Sequence, residues 1–313
     1  MTAFLLFAGL VGLFLGGDLL VRGAVALASR LGISPLVIGL TLVGFGTSLP
    51  ELVTSVEAAR LGSDGIAIGN VIGSNIANLL LILGIAACFA PIAIAPRTFR
   101  RDATSLVLAT ALCVAVALSG TVGRAEGVLL VLALALFLIG TLTLARREHH
   151  TDIDEPLLDS ARSIGTGRAS AMLVSGLVLL LIAAPALVHA AVEIARWLEI
   201  SETIIGLTIV AVGTSLPELV TSVVAARRGE GAVAYGNVLG SNIFNILGIL
   251  GITAFITPLS VSPQVIALDL WIMSGATLIV LAMAVTGWRL TRPEGAVLLG
   301  LYGGYLAFLV ALA

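Results

Sequence analysis

Charged residues are scarce in this chain of 313 residues, at 11% of the total, whereas soluble globular proteins carry about 25%. Hydrophobic residues make up 59% and the mean hydropathy is +1.15, which excludes a soluble globule. Lysine is absent, so all sixteen basic residues are arginine, which we attribute to composition bias rather than to function. These values predict a polytopic membrane protein.

Cysteine and histidine are also scarce. Cys88 and Cys113 both lie inside apolar segments, where small core residues are expected rather than a disulfide or a metal pair. The three histidines form no His-Glu-x-x-His motif, and the sequence places none of them as a base. An intramembrane hydrolase using Ser48 or Ser215 is therefore not favoured, and we expect neither an enzyme nor a bound cofactor.

Long apolar runs are abundant, and their length fits a membrane. About 20 apolar residues in a helix cross roughly 30 Å of hydrocarbon, and ten such runs are separated by short polar breaks. The predicted spans are residues 3–28, 34–61, 65–89, 102–120, 125–144, 169–196, 201–227, 232–257, 263–285 and 293–312. The expected fold is an all-α polytopic membrane protein with ten transmembrane helices.

The arginines are distributed unevenly between the two sides of these spans. With the amino terminus outside, twelve arginines fall in inside loops and three in outside loops, while Arg22 lies within the first span. Because cytoplasmic loops carry an excess of positive charge, we expect both termini outside and residues 145–168 in the cytoplasm. The expected location is the inner (plasma) membrane.

The chain contains two copies of one unit. Adding 167 to the residue number maps GTSLPELVTSV (46–56) onto the identical run at 213–223, and GNVIGSNIAN (69–78) onto GNVLGSNIFN (236–245). An odd number of predicted crossings separates the second span from the seventh, so the copies enter the membrane from opposite sides. Inverted repeats of this kind build many secondary transporters. The predicted units are residues 1–144 and 169–313, joined by a linker at 145–168.

The first repeated run predicts a broken helix at the centre of the second and seventh spans. Pro50 removes a backbone donor and clashes with the preceding turn, while Gly44 and Gly46 loosen the backbone before it. A break frees backbone carbonyls, which are tolerated at this depth only if they face protein, water or a bound ion.

Oxygen atoms gather at this predicted break. In the first copy they are the hydroxyls of Thr47 and Ser48, the carboxylate of Glu51 and freed carbonyls such as that of Gly44. An all-oxygen set suits hard cations such as Ca²⁺ and Na⁺. Ser48 and Glu51 also match the Ser-x-x-Glu capping box of an ordinary helix start. A cap alone does not explain a carboxylate near the midplane, where an uncompensated charge costs at least about 2.5 to 3.5 kcal/mol.

The second repeated run opens the next span in each half. Ser74 and Asn78 lie four residues apart on one helix face, as do Ser241 and Asn245, and their oxygens can complete the coordination of a cation. Glycines in both runs are expected to allow close helix packing. The remaining asparagines fit helix packing and the ion site equally well. They are Asn70, Asn75, Asn237 and Asn242.

These paired runs resemble the alpha repeats of the calcium/cation antiporter (CaCA) superfamily, most closely its prokaryotic sodium/calcium exchanger branch. The resemblance extends over essentially the whole chain. It implies that the second, third, seventh and eighth spans surround the ions, while the first and sixth slide across them to alternate access. It also implies a set of metal ligands: the side chains of Thr47, Ser48, Glu51, Ser74, Asn78, Thr214, Ser215, Glu218, Ser241 and Asn245, and the backbone carbonyls of Gly44 and Ala211.

The leading hypothesis is a secondary antiporter that exchanges Ca²⁺ for Na⁺ by alternating access. Its ligands are then the transported ions, and its surroundings the lipid bilayer, with no nucleic acid and no obligate protein partner expected. Proton-coupled Ca²⁺ export is an alternative, although the hydroxyls and carbonyls beside each Glu supply sodium ligands that a proton does not need. A cation channel, from a different class, fits the inverted repeat less well.

Asn245 departs from part of the family, because some relatives, including potassium-dependent exchangers, carry Asp at this position. The predicted site therefore has two carboxylates, which match one Ca²⁺ by charge. This count leaves the number of sodium ions open.

We expect sodium-driven calcium transport that does not require potassium. Asn245→Asp places a third negative charge beside Glu51 and Glu218, so transport should become more pH-sensitive or change its cation dependence, because like charges sharing a buried site resist joint ionisation. Calcium flux against a sodium gradient, with and without potassium across a pH series, measures both effects. A mutant identical to the wild type at every pH would place Asn245 outside the site.

Overall fold

The computed structural model describes residues 2–147, 164–198 and 211–312, and this part of the chain is almost entirely helical. The helices are α1 (Thr2–Leu31), α2 (Pro35–Thr47), α3 (Leu49–Arg60), α4 (Asp64–Phe89), α5 (Pro96–Ala117), α6 (Arg124–Arg147), α7 (Thr166–Trp197), α8 (Leu216–Arg227), α9 (Gly231–Ile256), α10 (Val265–Val285) and α11 (Arg292–Leu312). One helical turn, Ala211–Gly213, precedes α8.

Apolar helices dominate, as the sequence predicts. Within the described ranges, seven helices are long and apolar enough to cross a membrane, and the bent pair α2–α3 makes an eighth if it counts as one span. The seventh predicted span, 201–227, is described only from residue 211. Most of the predicted linker lies outside the described residues, and α6 and α7 extend into its two ends, to Arg147 and from Thr166.

Glycines bring α1 and α7 into backbone contact. A Cβ at Gly176 would lie 2.4 Å from the backbone nitrogen of Leu20, and one at Gly23 would lie 2.4 Å from that of Leu173. Residues later in α1 contact residues earlier in α7, so the two helices are antiparallel. Small residues permit such close approach of membrane helices. These two helices therefore form one closely packed pair.

The centre of the molecule is formed by α4 and α9, the most buried of the long helices described. A Cβ at Gly240 of α9 would lie 2.3 Å from the Leu40 carbonyl oxygen of α2, and one at Gly236 would lie 2.6 Å from that of Leu36. The predicted role of glycine in close packing is thus confirmed for the second copy. Around Gly69 and Gly73 in the first copy, no described atom beyond the adjacent turns of the same helix lies within 4 Å of the Cβ position.

Widened, π-helical turns interrupt several of these helices. They occupy Gly39–Val43 in α2, Asn78–Ile82 in α4, Phe244–Leu250 in α9 and Val265–Asp269 in α10. Such turns are rare and are frequent at functional sites. Those in α4 and α9 contain two of the predicted ion ligands, Asn78 and Asn245.

Two short antiparallel strand pairs join the two halves of the chain. Strand β1 (Ile92–Ala93) pairs with β4 (Arg289–Leu290), and β2 (Thr121–Val122) pairs with β3 (Leu259–Ser260). Each strand lies in a connection between long helices. Each pair therefore ties a loop of one half to a loop of the other.

Gly176→Ala should destabilise the protein by about 1 to 3 kcal/mol, because the added methyl group must displace the α1 backbone. Gly303→Ala in α11 is the matched control, since no described atom beyond the adjacent turns of α11 lies within 4 Å of its Cβ position and Ala is the better helix former. Thermal unfolding of the two purified variants measures the difference. Equal unfolding temperatures would contradict the packing described here.

Candidate ion-binding site

The helix break predicted from Pro50 is present. Helices α2 and α3 are bent by 43° relative to each other. Ser48 lies at the junction with φ −86° and ψ 10°, and Ser215, at the equivalent point before α8, has φ −91° and ψ 11°. Both copies of the run thus place a non-helical serine directly before a Leu-Pro-Glu helix start.

The two serines at these breaks bind the carboxylates of the opposite half. Ser48 Oγ donates a hydrogen bond of 2.7 Å to Glu218 Oε1, and Ser215 Oγ donates one of 3.1 Å to Glu51 Oε1. Both glutamates are only 1% exposed. Neither serine side chain caps its own helix, so the capping-box hydrogen bonds are not formed. The hydroxyl instead joins one half of the chain to the other.

Several buried oxygen atoms near this crossing have no donor among the described residues. One oxygen of each carboxylate, Glu51 Oε2 and Glu218 Oε2, is unpartnered, and so are Asn78 Oδ1 and Asn245 Oδ1. These residues lie on α3, α8, α4 and α9, and both α3 and α8 contact α4 and α9. Buried polar groups are normally paired. Two carboxylate oxygens and two amide oxygens left free in this way fit a hard cation.

The Gly44 carbonyl, which the break was expected to free, still accepts the backbone hydrogen bond of Ser48 N–H at 3.3 Å, and it lies beside the second-copy helix. Ser241 Oγ donates to it at 3.1 Å and Thr47 Oγ1 at 3.3 Å. Thr47 Oγ1 also lies 3.1 Å from the Val43 carbonyl oxygen and 3.3 Å from Asn237 Oδ1. The hydroxyls of Thr47 and Ser241 therefore hold α2 against α9 in this structure.

Asn70 and Asn237, for which helix packing and ion binding were equally good explanations, donate hydrogen bonds to the helices that carry Glu51 and Glu218. Asn70 Nδ2 donates to the Glu51 carbonyl oxygen at 3.0 Å and to Ser55 Oγ at 2.8 Å. The second copy repeats the pattern, with donation from Asn237 Nδ2 to the Glu218 carbonyl at 3.2 Å. The same asparagine donates to the second-copy serine hydroxyl at 2.9 Å.

The sequence analysis did not identify the two serine hydroxyls that accept hydrogen bonds from these asparagines. They are the second serines of each GTSLPELVTS run, Ser55 and Ser222, both fully buried. Their signal was their identical offset from Glu51 and Glu218 in the two runs.

The remaining predicted ligands are placed less decisively. Ser74 is buried and Thr214 half-buried, and neither side chain forms a hydrogen bond with the described residues. Ala211 begins the helical turn before Ser215, which puts it on the approach to the break. The roles of these three residues stay predictions.

The sequence and the fold match known exchangers. The chain matches the family described as "Sodium/calcium exchanger protein" over residues 1–143 and 169–311. It is 38% identical over 350 aligned positions to the sodium/calcium exchanger MaX1 of Methanosarcina acetivorans, covering 98% of this chain and 97% of that protein. It is 36% identical over 313 positions to the inner membrane protein YrbG of Escherichia coli, covering 98% and 95%.

A solved structure agrees with these relatives. The sodium-calcium exchanger NCX_Mj, soaked with 10 mM Na⁺ and zero Ca²⁺, superposes with a TM-score of 0.85 at 31% identity, covering 98% of both chains. The helical fold and the buried oxygen cluster define a multi-pass membrane transporter. The chain belongs to the sodium/calcium exchanger family, which confirms the CaCA resemblance and the transporter class rather than an enzyme.

Glu51→Gln or Glu218→Gln should abolish calcium uptake while leaving the protein folded, because an amide supplies the shape of the side chain without its charge. Glu57→Gln is the matched control, since Glu57 lies exposed on the same helix as Glu51. Uptake of radioactive calcium into proteoliposomes measures the effect. Full transport by either purified site mutant would remove that glutamate from the site.

Proposed function

We propose that this protein exchanges Ca²⁺ for Na⁺ across the membrane by alternating access. Membership of the exchanger family supports the proposal, as do the names of MaX1 and NCX_Mj. The observation that carries it is the pair of buried carboxylates, Glu51 and Glu218, each held through one oxygen by the opposite half and free at the other.

The charge of the two carboxylates favours either one divalent cation or a number of sodium ions that carries the same charge. Two carboxylates balance one Ca²⁺, and calcium takes six to eight oxygen ligands at about 2.3 to 2.6 Å. Serine hydroxyls that donate to a carboxylate still have lone pairs for a metal. We assign as ligands the side chains of Thr47, Ser48, Glu51, Ser74, Asn78, Thr214, Ser215, Glu218, Ser241 and Asn245, with the carbonyls of Gly44 and Ala211.

The same charge explains why transport is an exchange rather than a one-way flow. An empty, closed site would bury two carboxylates without a counter-ion, and keeping both of them ionised there is strongly unfavourable. The protein therefore reorients readily only when Ca²⁺ or Na⁺ occupies the site. Because the ions use overlapping oxygens, binding of one displaces the other, and the two gradients become coupled.

The architecture that we propose is ten spans arranged as two inverted units, residues 1–144 and 169–313, joined by a cytoplasmic linker at 145–168. Matched features support it: reciprocal serine–glutamate bonds, matched asparagine bonds and strand pairs between the halves. The arginine distribution supports both termini outside. The closely packed pair α1–α7 is suited to slide as one body across the ion site.

Proteoliposomes loaded with sodium and diluted into radioactive calcium without sodium should accumulate calcium. Dissipating the sodium gradient with an ionophore should stop the uptake, and a pH gradient alone should not drive it. Vesicles containing Glu51→Gln give the background. Calcium uptake driven equally well by protons without sodium would replace the proposal with proton-coupled export, and uptake with no gradient of either ion would indicate a channel.

A further inference from the structure

Four asparagines near the site have the same spacing in both copies but different hydrogen bonds. Asn78 Nδ2 of α4 donates to Asn242 Oδ1 of α9 at 3.3 Å. The equivalent bond in the other copy would join Asn245 to Asn75. It is not formed: Asn75 Nδ2 donates instead to the Val71 carbonyl of its own helix at 2.7 Å, and the Oδ1 atoms of Asn75 and Asn245 have no donor among the described residues. The repeat is symmetric in sequence here and asymmetric in structure.

The bond to Asn242 determines which end of the Asn78 amide is free. An asparagine side chain has a donor nitrogen and an acceptor oxygen, and only the oxygen can bind a hard cation. Because the nitrogen of Asn78 is engaged by Asn242, its Oδ1 is the end left unpartnered. With the Asn242 amide held in place, rotation of the Asn78 amide by 180° would break the bond and present two donor hydrogens where the oxygen now lies.

The state of Asn242 itself argues against a role in packing alone. Its side chain is fully buried, and its Nδ2 has no acceptor among the described residues. A buried unpaired donor is unfavourable, so a helix contact would be better served by an apolar residue of similar size. The amide of Asn242 contributes through its oxygen, which accepts the hydrogen bond from Asn78 Nδ2.

We infer that Asn242 is a positioning residue for ion binding, which fixes the amide of Asn78 with its oxygen toward the transported cation. The inference rests on the proposed function. Asn78 is then the preorganised neutral ligand of the site, whereas Asn245 has no equivalent support among the described residues and is oriented by the ion. Asn78 and Asn245 are equivalent in sequence, but the free energy needed to orient their side chains for ion binding differs.

Equilibrium binding of radioactive calcium to the purified full-length protein tests this role. Asn242→Leu should raise the Kd for Ca²⁺ about fivefold, the scale of one hydrogen bond between neutral groups. Asn75→Leu is the matched control, since it removes an equally buried amide that bonds only within its own helix. We expect its Kd to stay within about twofold of the wild type.

A double-mutant cycle separates positioning from general stability. If Asn242 acts through Asn78, adding Asn242→Leu to Asn78→Ala should change the Kd no further, whereas independent effects would add. Additive losses, or equal losses from Asn242→Leu and Asn75→Leu, would overturn the inference. A wild type that binds no sodium-displaceable calcium would overturn the proposed function together with it, so the two failures are distinguishable.

A second pair of variants covers the case in which Asn242→Leu does not fold. Asn242→Thr and Asn242→Val are nearly the same size, and only threonine keeps an acceptor for the Asn78 nitrogen. The threonine variant should bind calcium more tightly than the valine variant. Equal Kd values for this pair would contradict the role of Asn242.

Discussion

The structure depends on two carboxylates buried between the halves of the chain. Glu51 and Glu218 come from opposite copies, and each accepts a hydrogen bond from the serine of the other. A single hydrogen bond does not compensate a buried charge, which is why we propose that a cation completes the arrangement. This requirement connects the fold to its activity, because the group that most needs an ion is also the one that joins the two halves.

Much of the surrounding structure serves to hold these two carboxylates in place. The helix breaks bring the Ser48 and Ser215 hydroxyls to the crossing between the halves. In an unbroken helix, each hydroxyl would instead lie against the side of its own helix. Asn70 and Asn237 bind the backbone of the glutamates themselves. The glycines of α9 let α2 approach closely enough for the Gly44 carbonyl to meet Ser241. The oxygen atoms thus lie on helices and on the short breaks that begin α3 and α8.

The sequence alone predicts the parts of this site that follow from local chemistry. Proline after glycine predicts the break at Ser48, and a carboxylate at midspan predicts an ion. Hydrogen bonds between the halves were not predictable, because a 167-residue offset identifies equivalent residues and says nothing about which of them meet. The capping-box pattern was misleading for this reason, because the Ser48 hydroxyl donates to Glu218 of the opposite half and not to a group of its own helix start.

Symmetry in the sequence also concealed differences that only packing creates. Asn78 and Asn245 occupy identical positions in their runs, yet among the described residues Asn78 has a side-chain hydrogen bond to the opposite half and the Asn245 oxygen has no donor. The two-residue strands are likewise too short to leave a pattern in the sequence, and they form because the halves meet. Distances between the copies, which no single copy encodes, decided all of these features.

The central claim is that both halves build one site that takes either ion. Calcium binding to the purified wild type, titrated with sodium at constant ionic strength, tests it most directly. The account predicts one Ca²⁺ bound per chain and complete displacement by Na⁺, with a sodium dependence steeper than first order because more than one Na⁺ is needed to balance two carboxylates. Two independent calcium ions per chain, or calcium that sodium does not displace, would contradict it.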